Sequence, residues 1–417
     1  MRATTLLNRL LRVEGARVVG VVVDPDPAGP VALTLVPAAR AWLSCPLCSY
    51  RTRRVYDRRG VDSVWRHLDL AGRRCLLRMR RRRLVCPTHG VRTQAVAFAR
   101  PGSGFTSDFE DLVVWLTIRA DKSTVAVFAR VAWRTVGAMC RRVSVELLDD
   151  ARLDGLVNIG VDEISWRRHH QYLTLVSDEA TGSIVWGTGG KDAAAFARFF
   201  DDLPGGGAQA IETVSMDLGP AYAKTLTEKA PAAVICYDPF HVVKVATDAL
   251  DAVRRRHWQT ARTLPDQDLA KLLKGARWAL LKNQPDLTYP QAVTLATLRG
   301  QGGQLIRGHQ LKESLRALFA DDLDHDQVQN LLSRWCSRAS RSQIPEFVKA
   351  SRTIRAHRAG ITAALDHGMN NGRHEALNAK ARLLMNRARG FHTAHAALAL
   401  ILLACGPNQP QLPYHTR

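Results

Sequence analysis

Three carboxylates are placed as though to serve one site. Asp162 closes the apolar run of "VNIGVDEISW", Asp217 closes "AIETVSMD", and Glu375 stands among Asn, Arg and Lys in "NNGRHEALNAKARLLMNRARGF". A carboxylate at the end of a buried strand is costly unless it is neutralised, and a pair of them calls for a cation. Oxygen ligands favour Mg2+ or Mn2+. Two such ions roughly 3.5 to 4 Å apart can activate water or a 3′-hydroxyl and stabilise a pentacoordinate phosphorus. Arg373 and Lys380, beside Glu375, then neutralise the phosphates of a bound nucleic acid rather than the acid itself. Asp238 ends a further strand and His241 follows about one helical turn later; both either border the metals or cap and pack a helix. Glu163, next to Asp162, points to the opposite face of its strand.

A second set of ligands lies near the N-terminus. Cys45 and Cys48 form "CPLC", and Cys86 and His89 form "CPTH". Two pairs at this spacing present four ligands to one tetrahedron, the pattern of a structural zinc site, with Cys75 as an alternative ligand. Between the pairs runs "RRCLLRMRRRRLVC", whose Arg80, Arg81, Arg82 and Arg83 suit a phosphate backbone.

These groups need elements to hold them. The stretches "ARVVGVVVD" and "PVALTLVP" alternate like strands, so residues 1–100 read as a β-rich zinc-binding domain. Over 101–150, Thr106 or Ser107 caps a first helix and Asp121 or Ser123 a second. A third begins at Trp133, in the manner of a helix-turn-helix, and sets Arg134, Arg141 and Arg142 toward DNA. From 151 to 248 the order is βββαβαβα, that of an RNase H-like mixed five-stranded sheet in which the first and fourth strands are neighbours. Residues 249–364 are helical and charged, an all-α insertion, and 365–417 carry Glu375 on the helix that resumes the core. The fold class is therefore α/β. Trp258, Trp278 and Trp335 are assigned to core packing rather than to stacking on flipped bases.

Composition narrows the partner. Lys and Arg total 59 against 38 acids, a net charge of +21, with a pI near 10.3. That is the electrostatic footprint of a nucleic-acid partner. No apolar run approaches a membrane span, and the start lacks the apolar core and cleavage site of a signal peptide. Eight cysteines in 417 residues form no disulfide framework. The expected location is the cytoplasm, in association with the nucleoid.

"GVDEISW", "VSMDLGPAY", "PAAVICYDPFHVVKVATDALDAVRR", "GHQLKESLRALF" and "NNGRHEALNAKARLLMNRARGF", in this order, resemble the ISL3 family of bacterial insertion-sequence transposases. CPLC with CPTH looks like that family's N-terminal zinc-binding domain, and the resemblance covers nearly the whole chain. It implies that Asp162, Asp217 and Glu375 match the family's DDE triad on an RNase H-like fold with a helical insertion before the glutamate. Ala376 follows Glu375 where the family often has Gly, and His89 rather than Cys fills the fourth zinc position. The function implied is a DNA transposase that binds terminal inverted repeats, cleaves the strands in a metal-dependent reaction and transfers them to target DNA. Its partners are double-stranded DNA at both places and further copies of itself, as a homodimer or larger assembly. The competing expectation is a non-catalytic DNA-binding regulator derived from a transposase.

Overall fold

The computed structural model describes residues 2–38, 41–57, 59–167, 169–265, 267–319, 323–368, 372–388 and 390–413, with side chains of its last long polar helix described from 376 onward. The chain divides into two compact units, Met1–Asp149 with Leu384–Arg417, and Asp150–Leu383.

In the first unit, helix α1 (Ala3–Leu11) packs on a four-stranded sheet. Its strands are β1 (Ala16–Val23), β2 (Val31–Pro37), β5 (Val61–Leu70) and β6 (Arg73–Arg81), in the order β1-β2-β6-β5; the short pair β3 (Leu43–Ser44) and β4 (Arg51–Thr52) lies between them in sequence. Alternation puts Leu33, Leu77, Cys75 and Trp65 on the covered face. A second short pair, β7 (Arg83–Cys86) with β8 (Gly90–Thr93), follows. Three helices come next, α2 (Ser107–Thr117), α3 (Lys122–Ala129) and α4 (Trp133–Leu147). Thr106 caps α2 by accepting from the Phe109 N–H, and Asp121 caps α3 by accepting from Ser123 and Thr124.

The second unit is built on a five-stranded mixed sheet. Strands β9 (Asn158–Arg167), β10 (Gln171–Asp178) and β11 (Ser183–Gly189) form an antiparallel meander. Helices α5 (Ala193–Asp202) and α6 (Gly207–Ala210) lead to β12 (Thr213–Met216), and α7 (Pro220–Lys229) leads to β13 (Val234–Tyr237). Both of these strands run parallel to β9, in the order β11-β10-β9-β12-β13.

From Pro239 to Asp366 the described residues are helices, apart from turns. They are α8 (Pro239–Ala261), α9 (Asp268–Gly275), α10 (Arg277–Leu281), α11 (Tyr289–Gln301), α12 (Gly303–Ala317), α13 (His325–Ser340), α14 (Pro345–Ala356) and α15 (Arg358–Asp366). One apolar core runs from the sheet into these helices, through Phe196, Phe199 and Val214 to Val242, Leu250, Trp335 and Phe347. Trp335 is part of that core and donates to the Leu311 carbonyl, Trp258 packs against the core half-buried, and Trp278 is exposed. Helix α15 meets β13 through Gly360, where an added Cβ would fall 2.6 Å from the Tyr237 ring and 2.9 Å from the Ile235 carbonyl. Helix α16 (Gly372–Arg387), inside which the boundary between the units falls, precedes the apolar α17 (Ala394–Cys405).

Candidate functional site

Strand register brings three acids to one level. Gly160 pairs with Ser215, and Ser215 with Cys236, across β9, β12 and β13. Two residues further along the chain in each case stand Asp162, Asp217 and Asp238, in one row across three adjacent parallel strands. Asp217 and Asp238 directly follow β12 and β13, whereas Asp162 lies within β9, which runs on to Arg167 in pairing with β10 instead of ending at the acid. Successive side chains of a strand alternate in face, so the three share a face and Glu163 takes the other. There Glu163 hydrogen-bonds the hydroxyl of Tyr222.

The row is held by hydrogen bonds. Asp162 Oδ1 accepts from the Glu163 N–H at 2.6 Å, and its Oδ2 accepts from Nδ2 of Asn378 on α16. Burial, and then the charge of Asp217, raises the Asp162 carboxyl above the ordinary range. Asp238, 2% exposed, caps α8 by accepting from the Phe240 N–H at 2.9 Å. Its other oxygen lies 2.6 Å from His241 Nδ1, and Asp217 Oδ1 lies 2.6 Å from the same nitrogen. Burial alone would lower the His241 pKa, but the hydrogen bonds and charge of these two carboxylates lift it to about 10. Asp238 thus caps α8 and also lies beside Asp217 and His241. Glu375 falls in α16, three residues before Asn378; its side chain, like that of Arg373, lies outside the described residues. Lys380 is exposed on the same helix.

The donor set fits a divalent cation. Ligand atoms of Asp217, Asp238 and His241 lie within 4.8 Å of one another, and clustered carboxylates call for a positive charge between them. Asp162 and Asp217 offer the hard oxygen donors such an ion prefers.

The candidate zinc ligands also converge. Cys45, Cys48, Cys86 and His89 lie within 4.8 Å of one another. Cys48 and Cys86 sulfurs are 3.6 Å apart, and His89 Nδ1 is 3.8 Å from Cys45 and 3.5 Å from Cys86. Neighbouring ligand atoms on a zinc tetrahedron are separated by roughly 3.5–3.8 Å, so the set fits this ion. Hydrogen bonds from His89 and Thr88 outweigh burial and hold the Cys86 thiol near 6, poised as thiolate. Cys75 is not an alternative ligand: it lies in the sheet core at 0% exposure, and burial pushes its thiol up to about 11.

The basic candidates separate by what they touch. Arg80 and Arg82 are exposed. Arg81 lies over the Trp65 ring and donates to Ser63, and Arg83 pairs with Asp57. Arg142 pairs with Glu110, which is fully buried, so this cation is committed to the helical packing. Arg134 and Arg141 are exposed on α4 and line a cleft of about 370 Å3 with Lys122, Trp133, Arg387 and His392. Lys122 Nζ lies 3.2 Å from the centre of the Trp133 ring. Among the described residues no helix is long and apolar enough to cross a membrane.

Comparison with known proteins defines the class. Residues 43–89 match the zinc finger of the transposases of IS204, IS1001, IS1096 and IS1165, 94–144 match the helix-turn-helix domain of transposase family ISL3, and 159–401 match the ISL3 transposase domain. The chain is 39% identical over 439 residues to the transposase for insertion sequence element IS1557 of Mycobacterium tuberculosis, a match covering 99% of this chain and 98% of that one. It is 28% identical over 371 residues to the transposase for IS1001 of Bordetella parapertussis, covering 88% and 89%. The chain belongs to the ISL3 family of transposases. It is thus a DNA-binding enzyme of metal-dependent DNA cleavage and strand transfer, and a non-catalytic regulator is not favoured. Family membership implies a structural zinc ion and a divalent metal.

Proposed function

We propose that Asp162, Asp217 and Glu375 are the catalytic triad of an RNase H-like core interrupted by an all-helical insertion, and that Asp238 and His241 complete the acidic cluster. The row of carboxylates on β9, β12 and β13 carries this reading. The metal is Mg2+ or Mn2+; when bound it supplies a Lewis acid and an activated hydroxyl for phosphodiester attack. The chain's own residues prepare the site. Asp162, within β9, and Asp217, just past β12, present ligand oxygens on backbone that the sheet makes rigid, and Asp238 fixes His241 while capping α8.

On this reading residues 1–100 and 101–150 bind the terminal inverted repeats of the element, 151–248 and 365–417 form the core, and 249–364 the insertion. Arg80, Arg82, Arg134, Arg141, Arg373 and Lys380 neutralise DNA phosphates, Arg80 while its guanidinium also donates to the Arg59 carbonyl; Arg81, Arg83 and Arg142 are committed to intramolecular partners. The enzyme acts in the cytoplasm on the nucleoid, as a homodimer or larger assembly on DNA.

Incubating purified protein and Mg2+ with a labelled DNA fragment carrying the flanking inverted repeats tests the proposal. Cleavage at the repeat ends, abolished in Asp162→Ala, is expected. An Asp162→Ala protein that cleaves at the normal rate would remove the triad assignment.

A further inference from the structure

Among the described residues, Asn378 joins the row of acids to α16. The described buried positions of that helix are Asn378, Ala381, Leu384 and Met385, at 8%, 0%, 4% and 8% exposure. This is a stripe at helical spacing that is apolar except at its first member. A buried amide is costly unless bonded, and Asn378 Nδ2 donates to Asp162 Oδ2. An ionised carboxylate only accepts, which sets the amide nitrogen toward it. The Glu163 N–H already occupies Oδ1, so each oxygen of Asp162 has a donor that orients the carboxylate. Position 375 lies three residues earlier on the same helix, about one turn away.

We propose that Asn378 is a positioning residue for the divalent-metal site, resting on the triad reading above. Its amide orients the Asp162 carboxylate and fixes the register at which α16 meets the sheet. That register sets the distance between the Asp162 level and position 375. Partners that orient ligands in this way typically change metal affinity or activity by about 10–100-fold when removed.

The test uses the full-length, zinc-loaded protein and two variants, Asn378→Leu and Asn378→Ala. Leucine keeps the stripe apolar and filled, so Asn378→Leu should fold, with a thermal midpoint at or above that of the parent. Mn2+ binding to the DNA-free protein is measured by titration calorimetry, counting only the sites that Asp162→Ala removes, alongside cleavage and inverted-repeat binding. The expected result is Mn2+ binding weakened about 10–100-fold, cleavage lowered and partly restored by excess Mn2+, and repeat binding unchanged. Asn378→Leu with parental Mn2+ affinity and cleavage overturns the proposal. So does a loss of cleavage that follows a lowered thermal midpoint while Mn2+ affinity holds, which is a purely structural role. If Asp162→Ala itself cleaves normally, the triad reading fails, and that outcome is distinct from either of these.

Discussion

Asp162 and Asp217 occupy matching positions on neighbouring parallel strands, each two residues beyond the paired Gly160 and Ser215. Residues locked together by one sheet should act as a unit. Asp162→Ala, Asp217→Ala and the double variant are each expected to lose cleavage by on the order of a thousandfold or more, with no additivity. Repeat binding, followed by gel shift, should stay near the parental value. Stepwise, additive losses would separate the two acids.

Zinc should be a folding ligand for its own small region. The apolar cluster around it is only Leu43, Cys45, Leu84 and Cys86, with Tyr50 beside it. So small a cluster cannot hold the two knuckle segments without the metal. One zinc per chain is expected by metal analysis. Cys45→Ser should lose that zinc and the protection of 43–89 from proteolysis, while 159–401 stays folded.

Lys312 should be a strong internal stabiliser. It is 1% exposed, and its ammonium donates to the carbonyls of Leu280, Leu281 and Lys282 at 3.0, 3.3 and 3.2 Å, closing the end of α10. Lys312→Met keeps the bulk and removes the donors. Urea unfolding should show a loss of about 2–4 kcal/mol. A loss below 0.5 kcal/mol, roughly that of a surface substitution, would contradict this.

His309 should make stability depend on mild acid. Burial, helped by the nearby charge of Lys312, lowers its pKa to about 4, against about 6.5 when exposed in the unfolded chain. The unfolded state therefore binds the proton first. The neutral imidazole's contribution is fully present above pH ~6.5 and is lost as the pH falls through ~4, a change of roughly 2–3 kcal/mol. His309→Gln should flatten the stability profile over that window, measured by urea unfolding at each pH.

Much of this was legible in residue order, for physical reasons. Apolar runs ending in Asp162, Asp217 and Asp238 mark strands of a sheet buried on both sides, and the β-rich triplet followed by βα repeats fixes their neighbours. Thr106 and Asp121 announced their helices because a side-chain oxygen at that position satisfies N–H groups the helix leaves open. The partners of charges were not legible. Nothing adjacent in sequence shows that Arg142 meets buried Glu110, or that Arg83 meets Asp57, since these pairs join distant elements. Asn378 was hidden among "NAKARLLMNR", where its polarity looked like one more solvated residue. The signal available was its spacing: three and seven residues ahead of Ala381 and Met385, on the stripe that buries them.

The chain closes on itself late. Asn378 reaches back 216 positions to Asp162, and the compact unit formed by the first 149 residues also includes Leu384–Arg417. A nonsense codon or frameshift anywhere in the helices between α8 and α16 would therefore leave both units unfinished, the one that grips DNA as well as the one that cuts it. A damaged copy of the gene would fall silent instead of yielding a fragment that occupies the element's ends and blocks its intact siblings. Dominant interference should have to arise by missense change, at residues such as Asp162 that leave the whole chain able to fold.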